Sequence, residues 1–277
     1  RAVEGSRYFR SPDLYKENGF KEREKAEELR RILEKESQTE QTQRQAVLDK
    51  IEKKKEKKNP PLLYNLAELQ NDCSRMFKIS PDETLRVVQE LYEKKLVTYP
   101  RTDARVLSTA VAKEIGRNIH GLLRYAQEIL ENQSYQGIEK TRYVNDKQIT
   151  DHYAIIPTGQ GLGNLNRIPA VSQKVYQVIV RRFLSIFYPP AVYQKVNLVT
   201  AVGQEKLFSS FKVLLEEGYL AVASVSSEKK ESPSGKDEEK TDDIQCDAAF
   251  LEYLQKLKKG AVLPVEAFEI KEGETSP

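Results

Sequence analysis

The chain has 277 residues, 39% hydrophobic and 31% charged, with 45 basic side chains against 42 acidic ones and a net charge of +3. That length suffices for one large domain or two smaller ones with cores of their own. Two cysteines, Cys73 and Cys246, exclude a disulfide scaffold or a four-cysteine zinc site, and no apolar run approaches the ~20 residues of a membrane span.

Residues 1–58 read as an extended opening, a charged helix and a second extended segment. Lys21 to Lys35 carries Ala26, Leu29, Ile32 and Leu33 at helical spacing. Arg44 to Ile51 alternates as a strand, and Lys50 to Lys58 is almost all lysine and glutamate. Such a run can touch a nucleic-acid backbone, although a solvated strand end is its commoner meaning. Asn59-Pro60-Pro61 breaks regular structure.

Residues 62–188 are expected to be mostly helical. Leu66, Leu69, Cys73, Met76 and Phe77 share one helical face, which makes Cys73 a buried free thiol. Ser80-Pro81-Asp82-Glu83 combines a capping serine, a first-turn proline and a glutamate three residues after the cap. Leu85, Val88 and Leu91 carry that helix inward, and a short strand is expected to hold Tyr99. Ser108 caps a helix with Val111, Ile115, Ile119, Leu122, Ala126, Ile129 and Leu130 inside, and Ser172 starts another.

Pro189-Pro190 is a second break. Tyr193 to Val202 and Leu207 to Leu215 alternate as antiparallel strands. Residues 226–243 have almost nothing to bury and read as a mobile loop. Phe250 to Leu257 is a short helix and Ala261 to Ile270 a last strand. Strand-rich outer segments thus flank a helical middle. The domains expected are a gate domain in two parts, 1–59 and 190–277, and an inserted helical domain, 60–189.

Chemistry concentrates in Leu96-Val97-Thr98-Tyr99-Pro100-Arg101-Thr102-Asp103. A phenol is a weak nucleophile because its proton leaves only near pH ~10. A fixed cation beside it favours the phenolate and also holds an anionic target such as a phosphate. On spacing alone the same residues also fit a strand end and a polar turn. The segment Thr98 to Asp103, however, resembles the active-tyrosine signature of type IA DNA topoisomerases, most nearly their topoisomerase III branch. The similarity also takes in Asn59 to Leu66, Leu69-Gln70, Leu91 to Lys94, Asp151 to Thr158, Arg182-Phe183-Leu184 and Phe187 to Pro190.

The resemblance implies an α+β fold, a discontinuous antiparallel strand-rich gate domain with an inserted, mostly helical domain. It implies transient cleavage of one DNA strand through a 5′-phosphotyrosine link, with Tyr99 the nucleophile, Arg101 holding the scissile phosphate and His152 contacting it. Asp103 matches a motif position, either to hold Arg101 or to cap a helix. Arg75, Arg105 and Arg182 are further candidates for DNA backbone contacts, as are Arg86 and Arg181, and helix salt bridges are the alternative for each. Tyr64, Tyr92 and Tyr153 either stack bases or pack the core. Family members often have two adjacent histidines where this chain has His152-Tyr153.

No Asp-x-Asp cluster exists here. The resemblance implies magnesium held by such a cluster on a domain absent from this chain, no metal or other cofactor on the chain itself, and poor DNA cleavage by the chain alone. The start at Arg1, without methionine, and the stop at Pro277 read as cuts from a longer protein. The expected partner is DNA, mainly single-stranded. A monomer, no membrane and a cytoplasmic, nucleoid-associated location complete the reading. The alternatives are a non-catalytic single-stranded DNA-binding module and a tyrosine recombinase. The latter fits poorly, since here the tyrosine precedes His152.

Overall fold

The computed structural model describes residues 12–14, 19–38, 44–223, 244–245 and 248–272. The stretch 226–243, expected to be a mobile loop, and Cys246 lie outside these residues, as does most of the opening segment. The fold is a mixed α/β one, and the described residues divide into two compact units. One joins the segment up to Glu56 with Val192–Leu215 and the C-terminal segment; the other is Lys57–Ala191 with the segment that begins at Glu216.

The first unit is a sheet with helices on it. The charged helix α1 runs Arg23–Ser37. Strands β1 (Gln45–Lys58), β2 (Ala191–Val202), β3 (Glu205–Glu216), β4 (Ile244–Gln245) and β5 (Val262–Pro264) follow, in spatial order β4-β3-β2-β1-β5. Four of them form an antiparallel sheet, and β4 adds parallel to β3. Gly203-Gln204 joins β2 to β3, and Gly203 supplies the positive φ, 58°, that a two-residue turn requires. Period-2 burial puts Gln194, Val196 and Leu198 of β2 inward, on the side where Ala46 and Leu48 of β1 are also buried. Leu33 of α1 packs with Ala46 and Val202, while Leu251 and Leu254 of α8 (Ala248–Lys256) pack with Leu48, Val196 and Val213.

Two strand expectations change. β1 continues to Lys58, with residues 52–57 exposed as a solvated strand end. The last strand is three residues, not ten, because Pro264 has no N–H for the ladder. Beyond it, Val265 and Phe268 still reach the core beside Leu33.

The second unit has one large core. Helices α2 (Leu66–Phe77), α3 (Pro81–Glu93) and α6 (Ala170–Ser185) pack on one another. The side chains of Asn65 and Ser80 cap α2 and α3 by accepting from the backbone N–H three residues on. Leu69, Cys73, Val88, Leu91, Val175, Ile179 and Phe183 are wholly buried between them. Burial pushes the free Cys73 thiol up to about 12, so it stays a neutral core group.

The single helix expected after Ser108 is two, α4 (Thr109–Gly121) and α5 (Leu123–Glu131). The break follows Gly121, where a Cβ would stand 2.1 Å from the Gly159 carbonyl oxygen. The apolar pattern runs on through it, so periodicity alone did not reveal the kink. Helix α6 starts at Ala170, after Pro169, not at Ser172; the Ser172 hydroxyl instead donates to Glu90 at 3.0 Å. A one-turn helix, α7 (Leu220–Ala223), packs on α6.

Candidate active site

Tyr99 lies between α3 and α4, on a segment shaped at both ends. Lys95 closes α3 in the left-handed region, with φ 61°, so that Leu96 N–H reaches back to the Leu91 carbonyl at 2.9 Å. Leu96 and Val97 are then wholly buried. Pro100, Thr102, Ala104 and Val106 are buried, while Arg101 and Asp103 are exposed and Tyr99 is half-buried. Thr102 N–H donates to the Pro100 carbonyl at 3.0 Å, which makes Arg101 the apex of a three-residue turn.

The short strand expected at Tyr99 is a single bridge, Val97 with Pro157. A longer ladder is prevented by Pro157 and Pro100, which lack N–H groups, and by Thr98, whose hydroxyl takes ladder positions itself. Thr98 Oγ1 donates to the Ala154 carbonyl at 3.1 Å and accepts from Ile156 N–H at 3.0 Å. Thr98 N–H donates to the Ile156 carbonyl and Thr158 N–H to the Leu96 carbonyl, both at 3.0 Å. Further along, Thr102 Oγ1 donates to the His152 carbonyl at 2.7 Å and accepts from Ala104 N–H at 3.1 Å. Residues 96–102 and 152–158 are thereby stitched together by main chain and two threonine hydroxyls. On the other side, Ile155 N–H donates to the Tyr64 carbonyl at 2.8 Å.

The stitching brings Tyr99 and His152 into contact. Their ring centroids are 4.4 Å apart, tilted by 43°. Tyr92, on the last turn of α3, meets Tyr99 edge to face at 5.5 Å. His152 is exposed. Arg101 makes no ion pair with any described residue, which leaves its guanidinium available to an anion. Asp103 is exposed, and among the described residues its carboxylate neither holds Arg101 nor caps a helix; its carbonyl accepts from Asn65 Nδ2 at 3.1 Å.

The other basic candidates are elsewhere. Arg105 Nε donates to the Leu63 carbonyl at 3.3 Å and pairs with Glu68 at 3.8 Å. Arg86 is exposed and pairs with Glu83 at 3.9 Å. Arg182 is committed inward: it donates to the Leu62 carbonyl at 3.0 Å, the Tyr64 hydroxyl at 3.1 Å and Asp72 at 2.9 Å, with its guanidinium 4.1 Å over the Tyr64 ring. The Tyr64 hydroxyl donates to Asp72, and burial holds this phenol far above the usual range. Arg75 takes the second Asp72 oxygen at 3.0 Å. Sequence reasoning missed Asp72 and Thr102. Thr102 was visible within the tyrosine motif, but Asp72 carries no sequence signal beyond its helix position.

A magnesium ion needs several converging oxygens. Among the described residues no three His, Cys, Asp or Glu side chains are grouped to hold a metal, so the residues present do not fit one. Nor, among them, is any helix long and apolar enough to cross a membrane.

A family model described as DNA topoisomerase matches residues 5–277. The chain is 34% identical to DNA topoisomerase 3 of Bacillus subtilis strain 168 over 238 residues, 84% of this chain and 30% of that protein. It is 35% identical to DNA topoisomerase 3 of Bacillus licheniformis over 236 residues, with the same shares. The chain thus spans about 30% of the length of these curated relatives. The solved structure of full-length topoisomerase I from Thermotoga maritima has the same fold over 91% of this chain and 36% of its own, with TM-score 0.54 and 18% identity.

Proposed function

The chain belongs to the type IA DNA topoisomerase family, with topoisomerase III relatives, and from this we propose that it carries the nucleophile of a reversible DNA strand break. The Tyr99 oxygen attacks the phosphorus of a single-stranded DNA phosphodiester. A bond forms between that oxygen and the 5′-phosphate, the bond from phosphorus to the 3′-oxygen breaks, and the proton lost by the phenol is balanced by one gained at the 3′-oxygen. The phosphotyrosine ester keeps the bond's energy, so the 3′-hydroxyl reverses the step without ATP. A second strand passes while the first is open, and DNA topology changes.

Arg101 offers two parallel donors to the non-bridging phosphate oxygens. His152, against the Tyr99 ring, offers a ring N–H to the same group as charge develops on it. Asp103, exposed two residues after Arg101, is the further motif residue assigned to DNA contact. Magnesium is assigned to acidic residues outside this chain, on the family resemblance, and no step is derived through it. The same reading gives a monomer working on single-stranded DNA in the bacterial cytoplasm, at the nucleoid. The gate and helical domains, 1–59 with 190–277 and 60–189, are part of it.

The observation that carries this reading is the ring contact of His152 with Tyr99, two residues before an exposed Arg101 that makes no ion pair with a described residue. The test is to incubate the complete enzyme with labelled single-stranded DNA and denature it. Covalent adducts are expected from the native sequence, none from Tyr99→Phe, and few from Arg101→Ala. Adducts that survive Tyr99→Phe overturn the assignment.

A further inference from the structure

A cleft of about 470 Å³ opens elsewhere in the helical unit, lined by residues 57–61, α2, Arg142, α6 and α7. It shares no residue with Tyr99, Arg101 or His152. Lys57, Lys58, Arg75, Arg142, Arg181 and Arg182 line it. Asp72 is the one acid among its described lining residues. That local excess of positive charge exceeds the +3 of the whole chain.

Asp72 does not neutralise the cleft at large. Its oxygens are occupied by Tyr64, Arg182 and Arg75, and this closed network forms a fixed floor. Lys57 and Arg142 stand exposed around it, and Arg181 is half-buried. Like charges gathered on a low-dielectric wall focus a strong positive potential, which an anion relieves. The volume suits one or two nucleotides. Met76, 37% exposed at the same wall, offers an apolar contact for a base.

We propose that this cleft is a second site for the phosphate backbone of single-stranded DNA, separate from the one at Tyr99. The choice of a DNA strand rests on the function proposed above; the choice of a phosphate ligand rests on the cleft alone. A free nucleotide or inorganic phosphate presents the same oxyanions. The strand is favoured because the cleft is open and its cations come from four separate chain segments, so they can meet successive phosphates rather than one.

The test is fluorescence anisotropy of a labelled oligothymidylate with the whole chain, over a series of salt concentrations. Lys57→Ala/Arg142→Ala is expected to weaken binding about tenfold. It should also lower the slope of log affinity against log salt by about 1.4, since each lost single-strand phosphate contact is worth about 0.7. Lys57→Arg/Arg142→Lys restores both, and an unchanged melting temperature excludes misfolding. Unlabelled oligothymidylate should displace the probe at far lower total phosphate than thymidine monophosphate or inorganic phosphate. An unchanged affinity and slope overturn the site; equal displacement per phosphate overturns the strand. Adduct formation by Tyr99 is a separate readout, so failure there and failure here are told apart.

Discussion

His152 packs its imidazole against the phenol ring of Tyr99 at 4.4 Å, although the two residues come from different chain segments. The contact packs the phenol ring against an imidazole that is itself exposed. Tyr92 meets the same phenol ring edge to face at 5.5 Å.

Removing the imidazole separates its polar role from its packing role. His152→Ala should slow adduct formation by the complete enzyme about 10- to 100-fold. His152→Phe keeps a ring against Tyr99 but has no N–H, and should be as slow. A phenylalanine variant near the native rate would mean that packing alone matters.

Thr102 acts on the site through the backbone. Thr102→Val leaves the His152 carbonyl and the Ala104 N–H without their partner and should cost about 1–3 kcal/mol in urea unfolding. It should also slow adduct formation, whereas Thr102→Ser should restore both. Slow adducts with full stability would point to a direct role for this hydroxyl.

The Asp72–Arg182–Tyr64 network is a stability element. The paired side chains of Arg182 and Asp72 are only 14% and 16% exposed. Asp72→Ala strands the Arg182 guanidinium and should cost about 3–5 kcal/mol. A double-mutant cycle with Arg182→Met should show coupling of at least about 1 kcal/mol. Additive losses would rule the network out as a unit.

Alkaline pH should weaken the helical unit. Burial pushes the Tyr143 phenol up to about 12, against about 10 in an unfolded chain. Below pH ~10 it is neutral in both states and its contribution is complete. Between pH ~10 and ~12 the unfolded chain releases the proton and the folded one keeps it, so stability falls as pH rises. Tyr143→Phe should reduce that fall without abolishing it, because burial also raises Tyr64, Tyr153, Tyr176 and Cys73, and raises Tyr188 together with its bond to Glu128. At neutral pH the variant should lose about 1–2 kcal/mol, because the Pro60 carbonyl loses its donor at 2.8 Å. Urea titrations at pH 8, 10 and 11 check both signs.

The helices were legible where caps and periodicity agreed, as at Ser80 and Ser108, whose hydroxyls accept from Glu83 and Val111. The break after Gly121 was not, and the close approach of Gly121 to the backbone of Gly159 beside it joins residues distant in sequence. Pro264 was visible as a strand breaker, yet the apolar residues after it imitated a longer strand while packing irregularly near Leu33. At the candidate site, the motifs singled out Tyr99, Arg101 and His152, and the rings of Tyr99 and His152 meet. The inward commitment of Arg182 depends on Asp72 and Tyr64 meeting it in space, and no spacing rule encodes that.

The two threonine hydroxyls that join residues 98 and 102 to 154 and 152 bear on how a break is resealed. They rivet the tyrosine and histidine segments into one rigid body. On the proposed role of Tyr99, the tethered end of an opened strand carries its arginine and imidazole along wherever the protein moves. The untethered end takes neither with it, so rejoining must wait until the two ends are brought face to face again.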